Sequence, residues 1–118
     1  MVKLYHYTDA TGKGLIEKSG VILASQKSSI RDDAVYGDGV YLTSLGPENS
    51  TAEILGNNYD GRVVQLSRKP FTEYYFEFDS EDDDFVKIGD GTNRDIWILK
   101  GTKGLALAKG QKAKSRKV

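Results

Sequence analysis

One stretch of the sequence decides the fold: Gly37-Asp38-Gly39-Val40-Tyr41-Leu42-Thr43-Ser44. Its second half holds residue types that strands prefer. The glycines permit either a positive φ or a close approach of the backbone to another group. The stretch therefore predicts a tight turn that leads into a strand with an aromatic ring near its start. Such a ring suits stacking on a flat ligand, and it equally suits ordinary core packing.

Length and charge define a small, neutral domain. The chain has 118 residues, enough for one domain with one hydrophobic core, and its formal net charge is zero. No global field therefore recruits nucleic acid. Charge is nevertheless uneven, with an acidic run at Asp79–Asp84 and five basic residues between positions 109 and 117. We expect a catalytic domain at 1–108, a solvated acidic loop within it, and a flexible basic tail at 109–118.

The composition excludes several kinds of chemistry. The chain contains no cysteine, which excludes disulfides and thiolate catalysis, and it contains one histidine, so we expect no metal centre. Neither a phosphate-binding Gly-x-x-x-x-Gly-Lys-Ser/Thr motif nor a Gly-x-Ser-x-Gly nucleophile motif is present. No apolar run has membrane-spanning length, and the first residues lack a signal-peptide core. We therefore expect neither a membrane partner nor a signal peptide.

Upstream of the glycine-rich stretch, the pattern predicts a strand, a helix and a second strand. The first strand is Val2–Tyr7, whose residues favour strands. Thr8 or Asp9 then caps a short helix with Leu15 and Ile16 on its inner side and Gly20 past its end. The second strand is predicted at Val21–Ala24, and residues 25–36 are polar and irregular.

Downstream, the pattern predicts one more helix and five strands. The helix is Glu48–Leu55, preceded by a proline and closed by a glycine. The strands are Arg62–Ser67, Phe71–Phe78, Phe85–Ile88, Asp95–Lys100 and Leu105–Ala108, with a turn at Asp90–Asn93. The second of these alternates apolar and polar residues, as a half-buried strand does. Two early helices and many short strands predict an α+β domain with two small packed sheets.

Three residues remain as candidates for chemistry: His6, Tyr41 and Asp95. Each alone has an ordinary structural explanation. A single histidine in an apolar strand is usually a satisfied core or edge residue, and a tyrosine is often a core aromatic. An aspartate after a turn usually caps that turn. Together, however, the segments Tyr5-His6-Tyr7-Thr8, Gly39–Thr43 and Asn93–Ile98 form one ordered pattern.

In order and spacing, these segments resemble the ADP-ribosyltransferase superfamily. The nearest branch is that of diphtheria toxin and the poly(ADP-ribose) polymerases, whose signature is His–Tyr–Glu. With aspartate in third place, the chain resembles the His–Tyr–Asp toxins found at the C-terminal ends of bacterial polymorphic toxins. The resemblance runs from Leu4 to about Leu107. It implies a split β-sandwich of two small sheets with short helices, and NAD⁺ as the co-substrate.

The resemblance also implies a role for each signature residue. Cleavage of the bond between ribose C1′ and nicotinamide passes through an oxocarbenium-like centre, which a carboxylate stabilises. By resemblance Asp95 supplies that carboxylate, with Glu77 as the alternative. Tyr41 stacks on the nicotinamide ring. His6 contacts a hydroxyl of ADP-ribose, and the main chain of Tyr7 pairs with the nicotinamide amide.

Further residues complete the implied site. Ser44 or Ser50 donates a hydrogen bond to the nicotinamide amide, and Tyr59 is the candidate for a second stacking aromatic. Thr8 and Gly39 belong to the NAD⁺-binding set. The loop before the acidic residue, with Asn93 and Arg94, contacts the target; arginine-modifying relatives carry Glu or Gln at the position of Asn93, so arginine modification is not expected.

The resemblance implies transfer of ADP-ribose from NAD⁺ to an unidentified protein or nucleic-acid acceptor, with release of nicotinamide. The domain would be the toxin module of a larger secreted or injected effector that acts in the target cytoplasm. An immunity protein is a candidate partner, and we expect a monomer. NAD⁺ glycohydrolase activity, with water as the acceptor, and a nucleotide-binding or interaction module without catalysis stay open. The tRNA 2′-phosphotransferase shares the fold but relies on arginines near the histidine, which the first strand lacks.

Overall fold

The computed structural model describes residues 2–24, 39–50, 54, 72–88, 95–101 and 103–115. In chain order its elements are β1 (Lys3–Thr8), α1 (Ala10–Ser19), β2 (Val21–Ile22), β3 (Gly39–Leu42), β4 (Tyr74–Asp79), β5 (Val86–Lys87), β6 (Trp97–Lys100), β7 (Leu105–Ala106) and β8 (Lys114–Ser115). Four predictions fall wholly or mostly outside the described residues: an irregular segment at 25–36, a strand at Arg62–Ser67, a turn at Asp90–Asn93 and a helix at Glu48–Leu55. At the predicted start of that helix, Glu48 lies in a turn and Asn49 in a bend, whereas Ile54, near its predicted end, is helical.

The strands of the described residues form three small antiparallel sheets. Their orders are β1-β4-β8, β2-β7 and β3-β6-β5. The predicted α+β class is confirmed, with one short helix among the described residues. The finer expectation of a split sandwich stays a prediction.

Helix α1 begins and ends where its capping residues place it. The Asp9 side chain accepts a hydrogen bond from the Gly12 N–H at 2.7 Å, so Asp9 rather than Thr8 is the N-cap. Gly20 ends the helix in the left-handed region, with φ of 76°. Ile16 is buried, but the predicted inner position of Leu15 is wrong, since that side chain is 64% exposed. Consecutive helical residues point about 100° apart, so only one of the two faces the core.

The core lies mainly between the helix and the sheets on which it packs. Strand β4 alternates as predicted, with Phe76 and Phe78 buried and Glu77 half-buried between them. Its register with β1 pairs Phe78 with Leu4. The buried cluster consists of Leu4, Ile16, Ile22, Val40, Leu42, Phe76, Phe78 and Leu105. One contiguous core therefore joins elements from most of the chain.

Within the part of the chain that the structure describes, one isolated bridge links the sheet of β1 to the sheet of β3. Tyr5 and Thr43 exchange both backbone hydrogen bonds, at 2.7 and 3.0 Å. Thr43 follows β3 directly, so this bridge fixes the end of β3 beside β1. It brings the histidine segment and the glycine-rich stretch, far apart in the sequence, to neighbouring strands.

Residues 109–115, called the C-terminal strap below, lie against the domain. The Gln111 amide donates to the Glu77 carbonyl and accepts from the Ala108 N–H, each at 2.9 Å. The Ala113 N–H donates to the Glu17 carboxylate, and Lys114–Ser115 pair with β4. Polar side chains and a short ladder thus attach residues 111–115 to the domain. The flexibility of the tail at 109–118 stays a prediction. The domain boundary at residue 108 stays a prediction.

The acidic run forms a turn that its own carboxylates stabilise. The Asp82 side chain accepts from the Asp79 N–H at 2.8 Å, and the Asp82 N–H donates to the Asp79 carbonyl at 2.9 Å. Residues 81–84 are exposed, as expected for a solvated loop. In the parts of the chain that the structure describes, no helix is long and apolar enough to cross a bilayer.

We expect the strap to loosen in acid. Its Ala113 N–H, and secondarily Lys13, hold the pKa of Glu17 below its ordinary value. A carboxyl with a depressed folded-state pKa stabilises the fold above its unfolded pKa, about 4.3, and this contribution is lost as pH falls through the folded value. The substitution Glu17→Gln should therefore flatten the fall of melting temperature between about pH 5 and pH 3. Unchanged acid sensitivity in the variant would contradict this assignment.

Candidate active site

His6 lies where the sheet that contains β1 meets the sheet that contains β3. It is half-buried on β1, and its Nδ1 lies 3.0 Å from the main-chain carbonyl oxygen of Tyr41 on β3. A carbonyl oxygen only accepts, so Nδ1 carries the proton and donates. In the neutral ring, Nε2 then has a lone pair and accepts hydrogen bonds. The imidazole thus has the tautomer in which Nε2 is the accepting nitrogen.

The main chain beside His6 points toward β3. Because Tyr5 exchanges both backbone bonds with Thr43, its N–H and C=O face away from β4. Backbone groups alternate along a strand, so those of Tyr7 point to the same side. Tyr7 follows the bridge, at the place where the β1–β3 pairing stops. Its main chain therefore faces the same side of β1 as the junction with β3.

Asp95 lies two residues before β6, and Ser44 donates two hydrogen bonds to it. The β3–β6 register pairs Leu42 with Trp97, and two more steps bring Ser44 opposite Asp95. The Ser44 N–H donates to Asp95 Oδ1 at 3.3 Å, and the Ser44 hydroxyl donates to Oδ2. Asp95 is half-buried. Sheet register thus fixes both oxygens of this carboxylate; the turn that Asp95 could alternatively cap lies outside the described residues.

Tyr41 is half-buried in the middle of β3, where it pairs with the fully buried Ile98 on β6. Its carbonyl accepts from His6, and its strand continues into Ser44. The three signature residues therefore lie on, or directly beside, three neighbouring strands: His6 on β1, Tyr41 on β3 and Asp95 before β6.

The alternative carboxylate, Glu77, has different surroundings. It lies opposite Tyr5 in the β1–β4 ladder, and Tyr5 points to the face of β1 opposite to His6. Its carboxylate forms ion pairs with Lys3 at 3.5 Å and with Lys114 at 3.7 Å. These contacts place Glu77 in a partly exposed charge network on the other face of the sheet.

The side chain of Tyr7 has a structural contact that the sequence did not reveal. Its hydroxyl donates to the Leu45 carbonyl at 2.6 Å, and its ring contacts those of Tyr5 and Tyr75. It thereby fixes the segment after β3 to β1. The only available signal was three tyrosines at alternating positions of two strands.

Burial, and then the nearby charges of Glu77 and Glu48, raise the pKa of Tyr5, which keeps that phenol protonated.

The remaining predicted residues fall into two groups. Gly39 is buried against β6: an added Cβ would lie 2.6 Å from the Leu99 carbonyl oxygen. The group that the backbone of Gly39 approaches closely is therefore strand β6. Thr8 ends β1 before the helix cap, and Ser50 is exposed, with its carbonyl accepting from the Ile54 N–H. The residues outside the described part of the chain are Tyr59, Asn93 and Arg94.

Within the described ranges, no group of three or more His, Asp or Glu side chains is placed to hold a metal ion.

Comparison with known proteins identifies the family. An α+β domain of small antiparallel sheets, with a histidine, a tyrosine and a held carboxylate on neighbouring strands, is compatible with an ADP-ribosyltransferase. The family model described as HYD1 signature containing ADP-ribosyltransferase matches residues 4–111, and the chain belongs to this toxin-domain family. The resemblance predicted from the sequence is thus confirmed. No curated protein and no solved structure matches the chain.

Proposed function

We propose that this domain transfers ADP-ribose from NAD⁺ to a macromolecular acceptor and releases nicotinamide. Membership of the family supports the class of reaction. The observation that carries the proposal for this chain is the held carboxylate. Asp95 is fixed on both oxygens, one strand away from the strand whose Tyr41 carbonyl fixes His6. A carboxylate preorganised in this way suits stabilisation of a cation better than a mobile surface acid would.

The reaction assigns two tasks to this carboxylate. The bond between ribose C1′ and the nicotinamide nitrogen breaks, and nicotinamide leaves with the bonding electrons. Positive charge develops on C1′ and the ring oxygen. In the proposal, the negative charge of Asp95 stabilises that centre, and a carboxylate oxygen accepts a hydrogen bond from the ribose 2′-hydroxyl. The acceptor nucleophile then bonds to C1′ and loses its proton.

The other residues would bind and orient the dinucleotide. The His6 ring would accept a hydrogen bond from a ribose hydroxyl through Nε2, because Nδ1 is engaged by the Tyr41 carbonyl. The Tyr41 ring would stack on nicotinamide. The Tyr7 main chain, which faces the β3 side of its strand, would pair with the amide. Ser50 and Tyr59 stay predicted contacts.

The biological setting is proposed from the family. As a toxin domain, it would act on an acceptor inside a target cell after delivery as part of a secreted or injected protein. An immunity protein would be the natural partner of such a domain, because the producing cell must avoid the same modification.

Nicotinamide release by the purified domain tests the function. The protein is incubated with NAD⁺ labelled in the adenylate part, with and without lysate of candidate target cells. Label retained on macromolecules supports transfer, whereas free ADP-ribose alone identifies a glycohydrolase. A folded protein that releases no nicotinamide under either condition would overturn both enzymatic assignments and favour a binding module.

Two substitutions at His6 separate its structural bond from its binding role. His6→Asn retains a donor near the Nδ1 position for the Tyr41 carbonyl, whereas His6→Ala leaves that carbonyl without it, at a cost of about 1–3 kcal/mol in unfolding free energy. Both remove Nε2, so both should raise KM for NAD⁺ about 5- to 10-fold. Melting temperature and steady-state kinetics provide the measurements. Wild-type KM in His6→Asn would show that Nε2 does not contact the dinucleotide.

A further inference from the structure

We propose that Ser44 is a positioning residue that orients the Asp95 carboxylate for the reaction. This inference rests on the proposed function and adds a residue whose role is to hold the catalytic group. It differs from the expectation that Ser44 binds the nicotinamide amide. The evidence for this inference is the set of contacts that Ser44, Thr43 and Leu45 make.

Ser44 contacts each carboxylate oxygen with a different donor. Its backbone N–H donates to Oδ1, and its hydroxyl donates to Oδ2. Two bonds to different oxygens fix the rotation of the carboxylate plane as well as its position.

The residues on either side anchor Ser44 itself. Thr43 is 2% exposed and exchanges both backbone bonds with Tyr5. The Leu45 N–H donates to Thr43 Oγ1 at 3.1 Å, and the Leu45 carbonyl accepts from the Tyr7 hydroxyl at 2.6 Å. Ser44 therefore sits between two residues that are both fixed to β1. A donor pair on such a rigid segment can define the position of another side chain.

The hydroxyl proton cannot serve two acceptors at full strength. A serine hydroxyl has one proton, and this one is directed to Asp95 Oδ2. Donation to the carboxamide oxygen of nicotinamide would require the hydroxyl to rotate away from a charged acceptor, which forms the stronger hydrogen bond. The hydroxyl is therefore committed to orientation of the carboxylate, and amide recognition falls to other groups.

The positioning role of Ser44 also fits an aspartate, whose side chain is shorter than that of glutamate. Aspartate has one rotatable bond fewer than glutamate, so anchors on its two oxygens leave little freedom in its side chain. With that short reach, the position of the carboxylate depends on the backbone before β6 and on the residue opposite. Ser44 is that opposite residue in the extended β3–β6 register.

The test compares Ser44→Ala, Ser44→Thr and Ser80→Ala in NAD⁺ turnover. Ser44→Ala retains the backbone bond but loses the hydroxyl bond, so kcat should fall about 10- to 100-fold while KM changes less than about twofold. Ser44→Thr keeps a hydroxyl and should recover most of the rate. Ser80→Ala is the matched control; its hydroxyl accepts from the Val2 N–H in an exposed position. It should have wild-type kinetics.

A double substitution makes the inference specific. If Ser44 acts only through Asp95, Ser44→Ala should add little to the loss already caused by Asp95→Asn. A raised KM with an unchanged kcat in Ser44→Ala would overturn the inference in favour of nicotinamide binding. So would multiplicative losses in the double variant, or a threonine variant as slow as the alanine one despite a normal melting temperature. If the wild type turns over NAD⁺ and Ser44→Ala has the same kinetics, this inference is overturned while the proposed function stands. If the folded wild type does not turn over NAD⁺, both the proposed function and this inference are overturned.

Discussion

Replacement of Asp95 by asparagine is expected to slow nicotinamide release about 10²- to 10³-fold, the usual consequence of losing one preorganised group at a developing charge. An amide has the shape of the carboxylate but no charge to stabilise the oxocarbenium-like centre. The fold should survive, because the amide oxygen can still accept from the Ser44 N–H and the amide nitrogen can donate to the Ser44 hydroxyl oxygen. We expect NAD⁺ affinity within a few-fold of wild type. Single-turnover kinetics and equilibrium binding measure the two effects separately.

The matched comparison for Asp95→Asn is Glu77→Gln. Both substitutions exchange a partly exposed carboxylate for an amide, but Glu77 pairs with two lysines on the other face of the sheet. Partly exposed ion pairs contribute little, so this variant should retain turnover and stability close to wild type. A large loss of rate in Glu77→Gln, with activity preserved in Asp95→Asn, would transfer the catalytic role to Glu77.

Gly39→Ala is expected to lower the free energy of unfolding by about 1–3 kcal/mol, because the added methyl group overpacks a tight strand contact. The new Cβ would lie 2.6 Å from the Leu99 carbonyl oxygen and 2.7 Å from Ile98 Cγ1. The first atom belongs to the backbone of β6, and the second to a side chain with no exposed surface. Neither can move aside without separating β3 from β6. Urea unfolding followed by fluorescence of Trp97 measures the change.

A second glycine provides the control for this substitution. Gly14 lies within α1, and a Cβ added there meets no atom within 4 Å. Gly14→Ala should therefore stabilise the protein by about 0.5–1 kcal/mol, through helix propensity and a less flexible unfolded chain. Equal effects of the two substitutions would contradict the packing argument. Because the β3–β6 register also sets Ser44 opposite Asp95, Gly39→Ala should lower turnover as well.

Local patterns predicted those parts of the fold that local physics determines. The alternation in β4 follows from its period of two, and the ends of α1 follow from Asp9 and Gly20, whose capping chemistry acts over a few residues. Orientation within an element was less secure. The helical segment offers two adjacent apolar residues, and only packing against the sheets determines that Ile16 rather than Leu15 faces inward.

Contacts between distant segments could not be predicted in the same way. The signature residues could be selected because their order resembles a known family, but the bond between Ser44 and Asp95 depends on the register of two strands about fifty residues apart. The Tyr7 hydroxyl reaches Leu45 only because the bridge at Tyr5 aligns the two segments. No local pattern specifies either contact. The contacts of the strap could not be predicted either, because its binding groups are single polar atoms, not an apolar stripe.

The strap has a consequence for the behaviour of many copies of this domain at high concentration. An open strand edge is a template for a strand of another molecule, and this is a common route to aggregation. The outer edge of β4 is occupied along its length: Tyr74 and Tyr75 pair with β8, the Glu77 carbonyl accepts from Gln111, and Asp79 exchanges hydrogen bonds with Asp82. Lys114 adds a charged residue at the same border. The strap therefore protects the sheet that carries His6 from edge-to-edge pairing. Loss of the strap would expose the outer edge of β4 to pairing with another molecule.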